Sequence, residues 1–272
     1  MRLRADHAAL SQAITIHKKT VRMVSDYEHR LLKPVSYNGK LGNGSKTITK
    51  GAWKGFPVYS LTLEERSTCS RTCQQWANCF GNNMAFAHRI KPDDPELLML
   101  RLSDELSHLS SVHPEGFVVR LHILGDFFSA AYAQYWVDAL LEYPALRIFG
   151  YTHRSEQDIM DVIRSGLQNS RAWIRFSDKG GIMSANVNGE GIKCPEQTGK
   201  TQSCMTCALC WSTTKPMHSR NINMAYTLKK SINGLSFEDI KRIYDNNPNM
   251  TLKELSNLTG LAIPFLKKIL MG

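Results

Sequence analysis

The sequence predicts an α/β protein, built as an open parallel sheet or a partial (βα) barrel. A basic helical arm precedes this core and a small helix-turn-helix-like domain follows it. Two observations predict the core: apolar strand patterns alternate with helical segments of about 12 to 18 residues, and polar residues follow successive strand ends. We divide the chain into an arm (1–56), a cysteine-rich core (57–220) and a helical domain (231–272).

The composition is that of a globular protein, with 42% hydrophobic and 21% charged residues in a chain of 272. We expect no membrane association, because no run of about 18 apolar residues occurs. The N-terminus lacks the apolar core of a signal peptide. Seven cysteines with close C-x2-C spacing suit metal ligation in a reducing compartment, so a cytoplasmic location is expected.

The net charge of +10 is concentrated in the arm, where residues 1–56 hold eleven Lys or Arg and three Asp or Glu. Such an arm is typical of proteins that bind nucleic acid, although a merely solvated basic face would have the same composition. Apolar spacing over residues 5–32 predicts one or two amphipathic helices, which end before Pro34.

Residues 36–56 combine glycines with cationic and aromatic side chains. This mixture suits a phosphate backbone and stacked bases, and a basic β-hairpin with a structural tryptophan is equally consistent with it. The candidate nucleic-acid contacts here are Lys40, Lys46, Lys50, Trp53 and Lys54.

In the core, strands are predicted over residues 57–63, 117–124, 145–152 and 171–177, and helices over 95–112, 129–142 and 155–168. Chemistry in such folds gathers at the C-terminal ends of the strands. The residues at these ends are Cys69 and Cys73, Gly125 and Asp126, Tyr151 to Arg154, and Ser177 and Asp178. As a set they predict a site, although Asp126, Thr152 and Ser177 would also suit helix or turn caps.

Residues 231–272 are predicted to form helices around a sharp turn. Thr251 and Glu254 form a capping box, Gly260 supplies the turn, and Pro264 opens a further helix that carries Lys267 and Lys268. This order indicates a helix-turn-helix with those two lysines as DNA contacts, and a small helical packing domain is the alternative.

The densest motif in the chain, here named the second cysteine group, consists of Cys194, Cys204, Cys207 and Cys210. A C-x2-C-x2-C run is typical of 4Fe–4S sites. Zinc also accepts four thiolates, usually from two separated C-x2-C pairs, and is the alternative metal. Because four thiolates close the coordination shell, this site would be structural, electron-carrying or sensory.

The first cysteine group consists of Cys69, Cys73 and Cys79 and supplies only three thiolates. The fourth ligand would be His88, water, a substrate or a cofactor, which would make this an open and catalytic site. Alternatively, all three support one cluster together with the second group, or Cys79 is a core thiol. The chain therefore holds one cluster or two.

From Gly51 to Trp211 the chain resembles a family of uncharacterised cysteine-rich phage and bacterial proteins. The stretches that carry the resemblance are Tyr59 to Cys73, Cys79 to Met84, Arg120 to Ser129, Phe149 to Thr152 and Cys194 to Trp211. More distantly, the layout is similar to radical S-adenosylmethionine enzymes, although Cys79 comes three residues later than in their usual C-x3-C-x2-C motif.

This second resemblance implies an open 4Fe–4S cluster at the first cysteine group, with S-adenosylmethionine as a cofactor. Its candidate binding residues are Gly125, Asp126, Tyr151, Thr152 and Ser177, and the candidate catalytic residues are Arg120, His122 and Asp126. The leading hypothesis is an iron–sulfur protein that acts on or beside nucleic acid. The alternatives are a cluster-dependent DNA-binding regulator or accessory protein of a mobile element, and a zinc-stabilised structural protein.

Overall fold

A mostly parallel β-sheet forms the centre of the molecule in the computed structural model. The structure describes residues 8–177, 184–187, 191–211, 224–226, 237–247, 250–259, 261 and 263–271. The strands are β1 Val21–Met23, β2 Lys33–Pro34, β3 Val58–Ser60, β4 Arg89–Lys91, β5 Phe117–Leu121, β6 Leu146–Thr152, β7 Gln168–Asn169, β8 Ala172–Ser177, β9 Ser184–Val187, β10 Ile192–Lys193 and β11 Met224–Tyr226.

Helices flank this sheet and also form the C-terminal part of the chain. They are α1 Ala8–Ser11, α2 Glu65–Thr68, α3 Pro95–Val112, α4 Ala130–Glu142, α5 Gln157–Gly166, α6 Cys204–Cys207, α7 Phe237–Asp245, α8 Leu252–Thr259 and α9 Ile263–Met271. Short 3-10 turns cover Lys18–Thr20, Val35–Tyr37 and Phe80–Asn83. Among the described residues, no helix combines the length and apolar character needed to cross a membrane.

The strand order in the main sheet is β10-β11-β9-β8-β6-β5-β3-β2, and β7 pairs antiparallel with β8. From β3 to β11 all neighbours on this path are parallel, and β3, β5, β6 and β8 follow one another in both chain and space. Helices connect parallel neighbours in this order, as in βα-type folds. The predicted α/β class is confirmed, and within the described strands no pairing closes the sheet into a barrel.

The two faces of the sheet are buried by different parts of the chain. In β5, Phe117, Val119 and Leu121 pack with α3, α4 and α5 in one apolar cluster. Val118, on the opposite face, packs with residues from 35–56 and with the segment that carries the second cysteine group. Since side chains alternate along a strand, β3, β5, β6 and β8 contribute to both clusters. The arm and the core therefore share one buried face.

The predicted strands and helices of the core are confirmed with small shifts at their ends. Helix α3 begins after Asp94, whose carboxylate accepts a hydrogen bond from the Leu97 amide at 2.9 Å. Helix α4 begins after Ser129, whose hydroxyl accepts one from the Tyr132 amide at 3.1 Å. Local capping chemistry sets both starts, which explains why the sequence predicts them well.

The helices predicted over residues 5–32 were wrong, because helix in the described part of this segment is limited to Ala8–Ser11 and a 3-10 turn. Tertiary contacts replace the helical hydrogen bonds. The amides of Leu31 and Leu32 donate to the two carboxylate oxygens of Glu105 on α3, at 2.6 and 2.9 Å. The apolar side chains then reach the core from an irregular backbone rather than from one face of a helix.

Helices α7, α8 and α9 surround a small core of Ile240, Leu255 and Leu266. The predicted capping box is confirmed, since the Thr251 amide donates to Glu254 at 2.8 Å and the Glu254 amide to the Thr251 hydroxyl at 3.2 Å. Gly260 and residues 231–236 lie outside the described residues. The assignment of these helices to a helix-turn-helix stays a prediction.

Candidate metal centre

The four cysteines of the second cysteine group line one small pocket, together with Pro195, Glu196, Ala208, Leu209 and Trp211. Helix α6 brings Cys204 and Cys207 there in a single turn, which begins at the Ser203–Thr206 capping box. Ala208 ends the turn in the left-handed region, with φ of 59°. This conformation reverses the chain and directs Cys210 back toward the same pocket.

Apolar packing and backbone contacts hold this segment against the sheet. The Trp211 indole is buried and packs on Phe149 of β6, with ring centroids 4.2 Å apart. Met205, also fully buried, belongs to the same cluster. From the neighbouring strand, the Nε of the buried Arg175 donates to the Cys210 carbonyl at 2.9 Å. The pocket is thus attached to β6 and β8 at several points.

The protonation of these thiols depends on burial and on one neighbouring cation. Burial raises the pKa of Cys204 well above its ordinary value, and the proximity of Cys210 adds to this shift. Burial also raises the pKa of Cys194. The Lys40 ammonium opposes both shifts. A metal cation in the pocket would lower these pKa values strongly, since thiolates are its ligands.

The side chains in the described residues do not yet form a coordination shell. Among them, no three or more His, Cys, Asp or Glu side chains are arranged to hold a metal ion. Metal binding at the second cysteine group would therefore require the thiols that line the pocket to turn toward one centre. Rotation about a single bond, χ1, moves each sulfur atom.

The first cysteine group lies where β3 leaves the sheet. Cys69 caps α2, and its amide donates to the Glu65 carbonyl at 3.1 Å. Burial raises the pKa of the Cys69 thiol well above its ordinary value, and the nearby Asp126, Cys79 and Cys73 raise it further. Burial and Glu65 raise the pKa of Cys79 to about 11. Asp126, Cys73 and Cys79 are thus close enough to Cys69 to affect the charge of its thiol.

Buried charges hold the loop that carries this group. Glu65 and Arg89 form an ion pair at 2.8 Å, with both side chains at most 2% exposed. Arg89 also donates to the carbonyls of Gly81 and Met84, at 2.8 and 3.0 Å. A Cβ at Gly81 would lie 2.9 Å from a Glu65 oxygen, so only glycine fits there without displacing the carboxylate.

A second arginine reinforces the same loop. Arg66 donates to the Trp76 carbonyl at 2.6 Å and to the Asn82 side-chain oxygen at 3.0 Å, and its guanidinium lies over the Trp76 ring at 4.5 Å. Sequence reasoning missed Glu65, Arg66 and Arg89. In the sequence, only their closeness to Cys69 and Cys79 pointed to them. Charged residues on a solvent-exposed helix would give the same sequence pattern.

The predicted strand-end residues Asp126 and Thr152 do meet at one edge of the sheet. The buried Asp126 carboxylate accepts from the Phe127 and His153 amides, both at 2.8 Å. Burial raises the pKa of Asp126, and hydrogen bonds from His153 and Thr152 oppose this shift. Arg154 connects the edge to the first cysteine group by donating to the Thr68 carbonyl.

Gly125, the predicted cofactor-binding glycine, has a clear conformational reason to be glycine. Its φ is +89°, and an added Cβ would lie 2.7 Å from both the Leu63 Cβ and the Thr68 hydroxyl. The backbone therefore passes directly against the segment that leads to Cys69. Ser177 ends β8 and is half-buried. Roles of Gly125 and Ser177 in cofactor binding stay predictions.

The structure separates Arg120 and Tyr151 from Asp126. Arg120 lies over the rings of Tyr151 and Phe149, at 4.5 and 5.4 Å, on the face that carries the second cysteine group. Burial and then Cys210 raise the pKa of Tyr151, and Arg120 opposes them. We expected Arg120 and Asp126 to face the cofactor or substrate. Strand alternation instead places Arg120 and Tyr151 beside the second cysteine group.

His122, the third candidate catalytic residue, is buried on the helical side of the sheet. Its Nε2 hydrogen-bonds the Tyr132 hydroxyl at 2.9 Å, and its ring packs against Phe127 at 5.2 Å. Burial lowers the pKa of His122 to about 3, with a further contribution from Arg120. The imidazole is therefore neutral near pH 7, and its surroundings are those of a core residue.

Residues 36–56 agree with the alternative interpretation of this segment, a basic hairpin with a structural tryptophan. The Ile48 amide donates to the Phe56 carbonyl at 3.0 Å and the Gly55 amide to the Ile48 carbonyl at 2.8 Å, which makes a short antiparallel loop. Trp53 is 3% exposed inside it, so its ring has no face for a base. The exposed candidate contacts are Lys46, Lys50, Lys54 and, on α9, Lys267. The side chain of Lys268 lies outside what the structure describes.

Comparisons with protein-family models, curated proteins and solved structures returned no match for this chain.

Proposed function

We propose that this protein is an iron–sulfur protein in which the second cysteine group holds a closed cluster. One observation carries the proposal: four cysteines spread over seventeen residues line a single pocket. Thiolates are the donors that iron–sulfur clusters and zinc select, and four of them complete the shell. Such a cluster would supply stability or carry an electron. The fixed C-x2-C-x2-C spacing favours iron–sulfur over zinc, which is the alternative.

Elemental analysis together with the visible spectrum tests this proposal. We expect iron and acid-labile sulfide in anaerobically purified protein, with a charge-transfer band at about 400 nm. Cys207→Ser should remove the contribution of this cluster to the band, whereas Gln202→Ala, at an exposed position just before α6, should keep it. Stoichiometric zinc without iron would overturn the iron assignment, and protein with neither metal after reconstitution would overturn the proposal as a whole.

The first cysteine group supports a second candidate function, namely an open cluster that binds S-adenosylmethionine. Its support is the position of Cys69, which lies close to Asp126 and to the other two cysteines of the group at the C-terminal edge of the parallel strands. Here the chain's own residues would leave one coordination position open. Anaerobic reconstitution followed by measurement of S-adenosylmethionine binding and reductive cleavage tests this candidate.

A matched set of variants separates the two sites. If both groups hold clusters, Cys73→Ser and Cys207→Ser should each remove about half of the bound iron, and only Cys73→Ser should remove S-adenosylmethionine binding. Loss of all iron in both variants would indicate one shared cluster. Absence of binding and cleavage in fully loaded protein would exclude the enzymatic candidate and leave the closed cluster as the function.

A further inference from the structure

We propose that a basic loop, residues 40–54, binds the phosphate backbone of single-stranded nucleic acid in a way that depends on metal at the second cysteine group. The dependence on metal rests on the function proposed above. The binding surface itself rests on separate observations of charge, exposure and packing.

The first observation is a long stretch without acidic residues. Between Glu28 and Glu64 the sequence contains no Asp or Glu. The same stretch contains Arg30, Lys33, Lys40, Lys46, Lys50 and Lys54. Of the lysines in the basic loop, Lys46, Lys50 and Lys54 are exposed. Exposed lysines on a stretch of chain that has no acidic residues attract polyanions through release of their counterions.

The second observation is that these lysines stand on an ordered scaffold. Ile48 and Trp53 are buried, at 1% and 3% exposure, in the apolar cluster that covers one face of the sheet. Burial of Trp53 anchors the loop, while the three exposed lysines remain in solvent around it. Binding would therefore cost less ordering entropy than it would for a disordered basic tail.

The third observation connects the loop to the cysteines. The Cys204 amide donates to the Lys40 carbonyl at 2.9 Å, and the Met205 amide donates to the Leu41 carbonyl at 3.0 Å. In return, the Thr49 amide donates to the Met205 carbonyl at 3.2 Å. All three bonds involve α6, the single helical turn that carries two of the four cysteines. Rearrangement of this turn would therefore shift the basic loop.

Lys40 provides an electrostatic connection as well. Its ammonium lies 3.6 Å from the carboxylate of Glu196, which lines the cysteine pocket. The backbone of the same residue accepts the hydrogen bond from the Cys204 amide, so Lys40 contacts the cysteine pocket through both its side chain and its carbonyl. A metal centre with four thiolates would carry net negative charge and would attract this ammonium.

Tyr37 makes single strands the expected ligand. It lies three residues before the basic loop, in the 3-10 turn over Val35–Tyr37, and its side chain is 97% exposed. Proteins bind unpaired bases by stacking them on aromatic side chains while cationic side chains contact the phosphates, and Tyr37 and the lysines of the basic loop supply both kinds of group. Paired bases of a duplex do not offer their faces to such a ring.

Fluorescence anisotropy with labelled oligonucleotides tests the surface. Purified protein should bind a mixed-sequence single strand of about 20 nucleotides more tightly than the matching duplex. Lys46→Ala/Lys50→Ala/Lys54→Ala should weaken binding and reduce the slope of log K against log salt by about 2, from three lost phosphate contacts. The control Lys18→Ala/Lys19→Ala/Arg22→Ala removes the same charge from other exposed positions and should change the slope by less than half as much.

Equal losses in the two triple variants would overturn the assignment to the basic loop, since the effect would then be one of net charge. Equal or tighter binding of duplex would overturn the choice of single strands. Binding to phosphatidylserine vesicles as tight as binding to the oligonucleotide would assign the surface to anionic lipid instead.

The metal dependence has its own measurement. Chelated protein and Cys207→Ser, both checked for retained fold by circular dichroism, should lose about as much affinity as the lysine triple variant. Undiminished binding by folded, metal-free protein would overturn the coupling. If purified and reconstituted protein contains no metal, the proposed function fails, and the lysine variants still decide whether the basic loop binds nucleic acid.

Discussion

The two cysteine groups are held by different forces, although both use the same side chain. Buried charges hold the first cysteine group, through the Glu65–Arg89 pair and the contacts of Arg66. Apolar packing holds the second, chiefly through Trp211 against Phe149. A charged network is directional and fixes a loop that contributes little to the core. Apolar packing is less directional, and it ties the second group to the stability of the sheet itself.

Strand β5 serves both groups from opposite sides. Arg120 extends from it toward Tyr151 and the second group, and the turn after it places Asp126 beside Cys69. Changes in one network should therefore affect one group and spare the other. The following predictions test this separation, beginning with the largest expected effect.

Replacing Trp211 by alanine should cost about 3–5 kcal/mol of unfolding free energy, because the indole is 1% exposed and fills the space over Phe149. Urea denaturation measures this cost. Metal retention by the second cysteine group should fall with it, while a conservative Trp211→Phe should keep most of both. A stable Trp211→Ala protein with unchanged metal content would contradict packing as the force that holds this group.

Replacing Glu65 by glutamine should cost about 3 kcal/mol, because the buried Arg89 guanidinium then lacks its counter-charge. The damage should be confined to the first group, seen as faster alkylation of Cys69 and Cys79 in the metal-free protein. Glu156→Gln is the matched control, since its pair with Arg154 involves a carboxylate that is 41% exposed and should cost less than about 1 kcal/mol.

The stability of the fold should decrease in acid because of His122. Its folded pKa of about 3 lies below the ordinary 6.5, so the unfolded chain binds the additional proton between these values. Stability from this group is therefore full above pH 6.5 and falls by about 1.4 kcal/mol per pH unit below it, or about 2 kcal/mol at pH 5. Below pH 6.5 the stability of the wild type should fall more steeply than that of His122→Gln, so the two stability curves should approach each other as the pH decreases; identical acid sensitivity in both would refute the assignment.

Asp126→Asn should have the smallest effect, about 1 kcal/mol, because one of its two accepting oxygens becomes a donor that faces a backbone amide. The pKa of Cys69 should fall toward its ordinary value, since the carboxylate charge beside it is gone. Alkylation rate of Cys69 against pH reports this shift. The second group, followed by its own metal content, should not respond.

Local signals in the sequence were sufficient for much of the core. Helix α3 and helix α4 follow side-chain caps at Asp94 and Ser129, and the buried strand β5 is apolar at every position except Arg120. The same logic failed for residues 5–32, where Glu105 captures amides that a helix would have used internally. The spacing of apolar residues cannot show that a carboxylate some seventy residues away in the chain will accept these hydrogen bonds.

By itself, the sequence determined which residues belong together chemically: two groups of cysteines, a basic segment, and polar residues at strand ends. Each of these features is defined by residues that are close together in the chain, so the sequence shows it directly. Only the tertiary structure decided that Arg120 and Tyr151 lie beside the second group, that Trp53 is a core residue, and that α6 is hydrogen-bonded to the basic loop. These facts depend on which face of the sheet each segment covers. That arrangement is determined by the burial of apolar surface over the whole chain.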